Sequence, residues 1–383
     1  MHKTESHFHI KRSITISTGH FVHDIYSSFL APFLPLIIDK FNLTLTMAGL
    51  LTLFLRSPTL FSPFIGAVSE RFNIRNVAII APAVTAITMS LLGVAPNYAV
   101  LCVLLLIAGT SAAIFHVIGP VMIAQVSLAN LGQGMSFWMT GGELARTVGP
   151  LIAVWIVSLW SFEGSYPIMS IGIIFSILLY FSLKDTSTVS PALVNGNVAE
   201  VWSKLHKIMI PLTGIMVSRA CFIATLTAFL PVYMVASGKS LWIGGASLAI
   251  LELAGTVGTF LGGTISDHLG RRTVLLLAMP ISSFLMFAFV YAPNWLLFPL
   301  LLLLGCSVFA IAPVMMAIVQ DNCSTSRGIA NGIYTGISFL TIAVITVLVG
   351  LVADFASLKM AFILSSLGGL AGVPIIFLLP KSL

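Results

Sequence analysis

The sequence predicts an all-α membrane protein with twelve transmembrane helices in two similar halves. Its 383 residues have a mean hydropathy of +1.07, and only 8% of them are charged. Apolar stretches of about 20 residues recur along the chain, and each is long enough to cross a bilayer as a helix. The predicted spans, numbered 1 to 12, cover about residues 13–38, 46–69, 77–95, 99–127, 133–159, 166–183, 208–236, 241–266, 273–292, 296–320, 328–354 and 360–379.

The distribution of basic residues predicts the topology. Of the 18 Lys and Arg residues, twelve fall on one side of the twelve-span arrangement and only Lys40, Lys239 and Lys359 fall on the other. Because loops rich in Lys and Arg stay in the cytoplasm, we expect a multi-pass protein of the cytoplasmic (inner) membrane with both termini in the cytoplasm. The net charge of +6 therefore indicates topology and contact with membrane lipid, and not binding to nucleic acid.

Several classes of protein are excluded by what the sequence lacks. It contains no nucleotide-binding loop, metalloprotease motif or nucleophile signature, and its cytoplasmic segments are too short for a catalytic domain. The four cysteines have no spacing typical of disulfides or metal sites. We therefore expect no enzyme, no cofactor and no intrinsic ATP drive, so that an ion gradient supplies the energy for transport.

The two halves of the chain are related by a shift of about 193–197 residues. Phe33-Leu34-Pro35 in span 1, for example, recurs as Phe229-Leu230-Pro231 in span 7. The repeat predicts two six-helix bundles at 1–183 and 208–383. The polar segment 184–207, which has no apolar period, is predicted to be a flexible cytoplasmic linker.

The most specific repeated segment follows spans 2 and 8. Residues 263–272 read GTISDHLGRR, and residues 66–75 read GAVSERFNIR. Both resemble the loop signature of the major facilitator superfamily, G-x-x-x-D-R-x-G-R-R, although Glu70, Asn73, Ile74 and His268 depart from it. The glycine would let two helices approach, and the charged groups would form a network that locks a cytoplasmic gate; otherwise the basic residues only set topology. The gating candidates are Gly66, Glu70, Arg71, Arg75, Gly263, Asp267, Gly270, Arg271 and Arg272.

This resemblance covers the whole chain and implies the fold. Members of the superfamily have two pseudo-symmetric bundles around a cavity that opens alternately to each side. It further implies a small-molecule substrate, a monomer, cavity-lining spans 1, 4, 7 and 10, and lipid-facing spans 3, 6, 9 and 12. In agreement, predicted spans 3, 6, 9 and 12 contain no Asp, Glu, Lys, Arg or His.

Six charged residues lie near the middle of their predicted spans. A charge in the hydrocarbon core costs a few kcal/mol or more, so such residues are typical of a substrate or proton pathway. They are Asp24, Arg56, Glu143, Arg146, Arg219 and Glu252.

Span 1 carries a polar cluster. His20, His23 and Asp24 are spaced i, i+3 and i+4, so they share one face of a helix. A carboxylate beside two imidazoles is a plausible proton-binding site. The alternative is a polar cluster that only attaches span 1 to a neighbouring helix.

The other midplane charges have two interpretations each. Arg56 and Arg219 are candidates to hold an anionic group, because a guanidinium offers a planar fork of donors; otherwise each pairs permanently with Asp24 or Glu252. Glu143 and Arg146 can pair within span 5, which leaves Glu143 either a proton-coupling residue, like Glu252, or a structural one. The aromatic candidates to line the cavity, with helix packing as the alternative, are Phe21, Tyr26, Trp138 and Tyr334.

Two short motifs narrow the resemblance. Gly-His-x-x-x-Asp in span 1 and Phe115-His116-Val117-Ile118-Gly119 in span 4 resemble the fosmidomycin-resistance branch of the superfamily. That resemblance implies proton-coupled export, or antiport, of a small polar and often anionic compound, with His116 facing the cavity.

Two further functions stay open at this point. His20, His23, Asp24 and His116 could instead ligate a transition metal, which would make the protein an exporter of a metal ion or metal chelate. Symport uses the same fold, so the uptake of a small metabolite is the second alternative.

Overall fold

The structure is a computed structural model, and it describes residues 10–62, 64, 65, 68, 75–127, 131–183, 198–322 and 327–380. All regular secondary structure in these residues is helical. The described α-helices of the first half are α1 (Ile10–Ser27), α2 (Leu30–Phe41), α3 (Leu45–Arg56), α4 (Arg75–Ser90), α5 (Tyr98–Ser127), α6 (Leu131–Trp160) and α7 (Met169–Ser182). Those of the second half are α8 (Val198–Ala224), α9 (Leu230–Ala236), α10 (Leu241–Leu269), α11 (Arg271–Tyr291), α12 (Leu297–Asp321), α13 (Arg327–Phe355), α14 (Leu358–Leu370) and α15 (Gly372–Ile376).

The helices match the predicted spans. Within the described residues, 11 helical stretches are long and apolar enough to cross a membrane, and the shorter apolar helix Leu45–Phe61 coincides with predicted span 2. Span 1 consists of α1 and α2, and span 7 consists of the end of α8, a π-helical turn at Thr225–Phe229, and α9. The all-helical membrane fold predicted from the sequence is confirmed.

Spans 1 and 7 are interrupted at equivalent places. Pro231 has no backbone N–H to donate to the carbonyl of Thr227, and its ring crowds that carbonyl, which widens the helix into the π turn. In span 1, α1 ends at Ser27 just before Pro32 and Pro35. The repeated Phe-Leu-Pro motif therefore marks a break in both halves.

The helices pack into two units. Unit 1 comprises Met1–Phe29 and Pro58–Leu193, and unit 2 comprises Leu30–Ser57 and Val194–Leu383. Residues 30–57 thus pack with unit 2, although the repeat assigns them to the first half. Residues 198–207, which we predicted as part of the linker, are helical and continue into span 7. The linker residues 184–197 lie outside the described part of the chain.

In unit 2, α3 and α13 pack closely. The carboxylate of Asp354, at the end of α13, accepts hydrogen bonds from the backbone N–H groups of Leu45 (2.7 Å) and Thr46 (2.8 Å) and from the Thr46 hydroxyl (2.5 Å). Thr44 accepts a further bond from the N–H of Met47 at 3.1 Å. Together these side chains satisfy the first-turn donors of α3, which a helix cannot satisfy internally.

Candidate functional site

The polar face predicted for span 1 is buried inside unit 1. His20, His23 and Asp24 lie on α1, which packs against α4, α5 and α6. As whole residues, all three are less than 10% exposed. The i, i+3, i+4 spacing brings them to one side of the helix, as the sequence predicts.

Three imidazoles surround the carboxylate of Asp24. Its Oδ1 lies 2.9 Å from Nδ1 of His23 and 3.2 Å from Nε2 of His116, and its Oδ2 lies 3.3 Å from Nε2 of His20. The Nε2 atoms of His20 and His116 are themselves 3.2 Å apart. We call these four residues the Asp24 cluster; α5 supplies His116 and thereby completes it.

The cluster is open on one side only. The side chain of His116 is 44% exposed, whereas that of Asp24 is 10% exposed and that of His23 is fully enclosed. A proton or small cation can therefore approach the carboxylate past His116.

Backbone carbonyls fix the outer nitrogen atoms of two imidazoles. Nδ1 of His20 lies 2.8 Å from the carbonyl oxygen of Trp138, and Nδ1 of His116 lies 2.8 Å from that of Ala112. Since a carbonyl only accepts, both Nδ1 atoms carry hydrogen. The two Nε2 atoms consequently face Asp24 as lone pairs whenever the rings are neutral.

Close packing holds the rings in place. The ring of Trp138 stacks on His20 with a centroid separation of 3.8 Å and an interplanar angle of 12°, and Phe115 stacks on His23 at 4.7 Å. A methyl group at Gly142 would lie only 2.6 Å from the His20 ring, so α6 reaches the cluster because this position has no side chain. Trp138 is therefore a packing and hydrogen-bonding partner of His20.

The contact of His23 with Thr85, and that of Thr85 with Ser111, were not anticipated from the sequence. Its Nε2 lies 3.0 Å from the hydroxyl of Thr85 on α4, and Thr85 in turn donates to Ser111 on α5 at 2.9 Å. Span 3, to which Thr85 belongs, was expected to face lipid throughout. A threonine in an apolar span carries no sequence signal for such a contact.

The Asp24 cluster can accommodate cations. His20, Asp24 and His116 each offer a ligand atom, and these atoms lie within 4.8 Å of one another. Metal-binding histidines commonly donate their second ring nitrogen to a carbonyl, as His20 and His116 do here. The predicted fourth ligand, His23, is instead hydrogen-bonded to Asp24 and Thr85.

Four other predicted site residues of unit 1 make contacts outside the Asp24 cluster or are only half-buried. Glu143 and Arg146 form the predicted ion pair within α6. Phe21 is half-buried on α1, and the hydroxyl of Tyr26 donates to the carbonyl of Ile168 at 2.6 Å, which ties α1 to the start of α7.

Unit 2 contains the other charged residues that were predicted to lie near the middle of the spans. Arg219 on α8 is 7% exposed, and its Nε has no hydrogen-bond partner among the described residues. It interacts electrostatically with Tyr334 on α13, whose hydroxyl donates to the carbonyl of Ala312 at 3.2 Å. Arg56 lies at the end of α3, and Glu252 is buried in α10.

The second copy of the loop signature forms a charge network. Arg271 lies 2.5 Å from Asp267 and 3.4 Å from Asp321, and Gly270 joins α10 to α11 with a positive φ of 85°. Gly263, however, does not lie at a close contact between helices. A Cβ atom at this position would be 3.9 Å from Cβ of Pro313, which is an ordinary van der Waals distance. The close contact with α12 is made one residue earlier, at Gly262.

The last arginine of each signature copy has an equivalent position. Arg75 donates from Nε to the carbonyl of Leu183 at 2.6 Å and also to that of Tyr180, while Arg272 donates to the carbonyl of Phe377 at 3.5 Å. Each guanidinium also lies over an aromatic ring, of Tyr180 or Phe377 respectively. Both arginines thus bind the end of the sixth span of their half. Gly66, Glu70 and Arg71 lie outside the described residues, so gating by the first copy stays a prediction.

The sequence is similar to known membrane transporters over nearly its whole length. Residues 16–346 and 253–382 match the family model of the Major Facilitator Superfamily. The fosmidomycin resistance protein of Escherichia coli (strain K12) is 21% identical over 375 residues, which cover 95% of this chain and 91% of the relative. The tetracycline resistance protein, class E, of Escherichia coli is 26% identical over 337 residues, covering 81% of this chain and 80% of the relative.

Solved structures support the same fold. A bacterial homolog of the human lysosomal transporter Spinster, in an inward-facing and occupied conformation, superposes with a TM-score of 0.83 at 13% identity and covers 97% of this chain and 96% of its own. A variant of the nucleoside transporter NupG superposes with a TM-score of 0.78 at 15% identity, covering 96% of this chain and 100% of its own.

Proposed function

Because the chain belongs to the Major Facilitator Superfamily, we propose that it exports a small polar, anionic compound in exchange for protons. Membership makes it a multi-pass membrane transporter of a small molecule and not an enzyme. The proton coupling, the anionic cargo and the direction of transport are the parts that we propose. We further propose that the protein acts as a monomer in the inner membrane with both termini in the cytoplasm.

The Asp24 cluster is the observation that carries the proposed coupling. With three neutral imidazoles and an ionised Asp24 the cluster has a charge of −1, and each proton that binds raises this charge by one. An ionisable group inside a membrane protein costs free energy, so its presence in a transporter favours a role in transport. The open side at His116 gives a proton a way in and out. Glu143, paired with Arg146, and Glu252 are secondary candidates for coupling.

Arg219 is the main support for an anionic cargo. A buried guanidinium without an anionic partner is unfavourable by several kcal/mol, because water no longer solvates the charge. The described residues give Arg219 the phenol of Tyr334 as its electrostatic neighbour and no carboxylate partner. An anion carried by the substrate would supply the missing charge, and Arg56, Arg146 and His116 are further candidates to bind it.

The names of two relatives favour export. Both the fosmidomycin and the tetracycline resistance proteins are named for resistance, which efflux of a compound from the cell can provide. The alternative, proton-coupled uptake, predicts net flux in the opposite direction in oriented vesicles at the same pH gradient.

Asp24→Asn tests the coupling. In proteoliposomes with a pH difference of one unit, one exchanged proton is worth about 1.4 kcal/mol, so the wild type should build up to about a tenfold gradient of a labelled phosphonate such as fosmidomycin. The amide of the variant supplies N–H donors in place of the proton. We expect Asp24→Asn to build no gradient while it still exchanges labelled for unlabelled compound, and Glu143→Gln to be less affected. A full gradient in Asp24→Asn would show that the cluster does not couple transport to protons.

Arg219→Gln tests the anionic cargo. A ligand that binds the folded protein raises its melting temperature by mass action. We expect fosmidomycin to stabilise the wild type and Lys239→Gln, a matched change of charge at a distant residue, but not Arg219→Gln. Equal stabilisation of all three proteins would contradict the assignment of Arg219 to the anion.

The geometry of the cluster also favours a second candidate, export of a metal ion. The ligand atoms of His20, Asp24 and His116 lie within 4.8 Å of one another, and imidazole and carboxylate groups suit a transition metal. If Zn²⁺ raises the melting temperature of the wild type but not that of His116→Gln, and fosmidomycin has no effect, this candidate takes first place.

A further inference from the structure

We propose that Thr85 and Ser111 are positioning residues that hold His23 in one tautomer, so that its Nδ1 shares a proton with Asp24. This inference rests on the proposed function, because it concerns the cluster that would carry the coupled proton. Neither hydroxyl touches the carboxylate; both act through the imidazole of His23.

The directions of the hydrogen bonds follow from one carbonyl group. The hydroxyl of Ser111 lies 2.8 Å from the carbonyl oxygen of Ala81, which can only accept, so Ser111 donates its hydrogen there. The oxygen of Ser111 is then free to accept the hydrogen of Thr85, at 2.9 Å. With its hydrogen committed, Thr85 can only accept from His23, so Nε2 of His23 carries the hydrogen of that 3.0 Å bond.

This tautomer has a consequence at the other ring nitrogen. With hydrogen on Nε2, Nδ1 of a neutral His23 is a lone pair that faces Oδ1 of Asp24 at 2.9 Å. Two acceptors at this distance repel each other, and a proton between them turns the contact into a charge-assisted hydrogen bond. A proton that binds between these two atoms is called the resident proton.

Burial separates this resident proton from the exchangeable one. His23 and Thr85 are fully enclosed and Ser111 is 5% exposed, whereas His116 is open to its surroundings. The Nε2 atoms of His20 and His116, 3.2 Å apart, form the second position, where a proton can bind and leave. The cluster thus has two inequivalent proton positions: an enclosed one at His23, whose tautomer the hydroxyl groups set, and an open one at His116.

The charged surroundings are consistent with this division. Among the described residues, the ionisable groups that face Asp24 are His20 and His23 from α1 and His116 from α5. Arg146 on α6 interacts electrostatically with His116, at the exchangeable position. The contact from α4 is the uncharged hydroxyl of Thr85, which can orient His23 without adding charge.

The test compares variants that keep or remove the relay. Thr85→Ser keeps the hydroxyl, Thr85→Val removes it with little change of shape, and Ser111→Ala removes the acceptor that commits the Thr85 hydrogen. The full-length protein in nanodiscs, labelled with ¹⁵N-histidine, is measured by NMR, and His23 is assigned by the signal lost in His23→Gln. The ring nitrogen shifts of His23 report which nitrogen atoms carry hydrogen.

We expect the wild type and Thr85→Ser to show His23 with hydrogen on Nε2, and Ser111→Ala to show a mixture of tautomers. In proteoliposomes, Thr85→Val should lose at least tenfold in proton-driven transport of fosmidomycin and shift the pH profile, with Thr85→Ser restored to within twofold. An unchanged His23 tautomer in both Ser111→Ala and Thr85→Val overturns the inference. So does a wild-type pH profile in Thr85→Val, provided that the wild type shows proton-driven transport. The NMR result does not depend on transport. If the His23 tautomer changes in the variants as expected but the wild type shows no proton-driven transport, the proposed function is refuted and the positioning role of Thr85 and Ser111 is not.

Discussion

Replacement of Asp354 by alanine should open the first turn of α3. The Asp354 carboxylate accepts the N–H groups of Leu45 and Thr46, at 2.7 and 2.8 Å, and the Thr46 hydroxyl at 2.5 Å. Thr44, the residue just before the helix, accepts only the N–H of Met47. In Asp354→Ala two backbone donors of α3 lose their partner, and α3 loses its polar contact with the end of α13.

The magnitude follows from the type of bond and its exposure. Capping side chains contribute about 0.5–2 kcal/mol, and bonds to a charged acceptor lie towards the upper end. Because Asp354 is exposed, water replaces part of the lost interaction. We therefore expect a loss of about 1–2 kcal/mol in the local stability of this turn, which raises the population of the opened turn by about 5- to 30-fold.

Hydrogen exchange followed by mass spectrometry measures this effect directly. Exchange of the amides in a peptide containing residues 43–50 should accelerate by the same factor in Asp354→Ala, while α1 is unchanged. Thr44→Ala serves as the control, because it frees the Met47 amide and removes one side-chain bond to Asp354, but leaves the bonds from Leu45 and Thr46 to that carboxylate in place. If Asp354→Ala leaves the exchange of residues 45 and 46 unchanged, the carboxylate does not stabilise α3 and the reasoning is refuted.

Two further pairs of substitutions test the packing. Gly142→Ala should destabilise the protein by about 1–3 kcal/mol, because its methyl group would overlap the His20 ring. Gly332→Ala should be neutral or slightly stabilising, because, among the described residues, no atom of another helix lies within 4 Å of the added methyl group. Equal melting temperatures for the two variants would contradict this packing. Arg75→Ala should cost about 1.5–3 kcal/mol, because a buried guanidinium donates to carbonyl groups at the end of α7, and Arg272→Ala should cost less because its bond of 3.5 Å is long. Denaturation midpoints in detergent measure the stability of all four variants. A larger loss of stability in Arg272→Ala than in Arg75→Ala would show that these hydrogen bonds do not determine the contributions of the two arginines.

Much of the fold could be predicted because the membrane restricts the choices. A hydrocarbon environment requires every backbone polar group to be satisfied within the segment, so a run of about 20 apolar residues becomes a helix. The repeat of Phe-Leu-Pro predicted two related halves, but the breaks beside it in spans 1 and 7 were seen only in the structure. The packing of residues 30–57 in unit 2 could not be predicted, because it depends on contacts such as Asp354 with Thr46, which are 308 residues apart in sequence.

The candidate site was predictable only where its residues share a helix. The spacing of His20, His23 and Asp24 places them on one face of α1, and the pair of Glu143 and Arg146 follows from the same rule. The distance between His20 and His116, by contrast, depends on how α1 and α5 pack. No pattern in the sequence pointed to Thr85, because a threonine hydroxyl is tolerated at many positions in an apolar helix.

The sequence by itself determined the class of the protein, the approximate limits of its apolar helices, and which charged residues fall within them. These properties depend on composition and on local spacing, which the chain carries directly. Only the tertiary structure decided that His116 faces Asp24, that Trp138 and Thr85 orient the imidazoles, and that Gly262 rather than Gly263 approaches α12. These contacts require helices from distant parts of the chain to meet at a given rotation, and one residue of sequence rotates a helix face by about 100°.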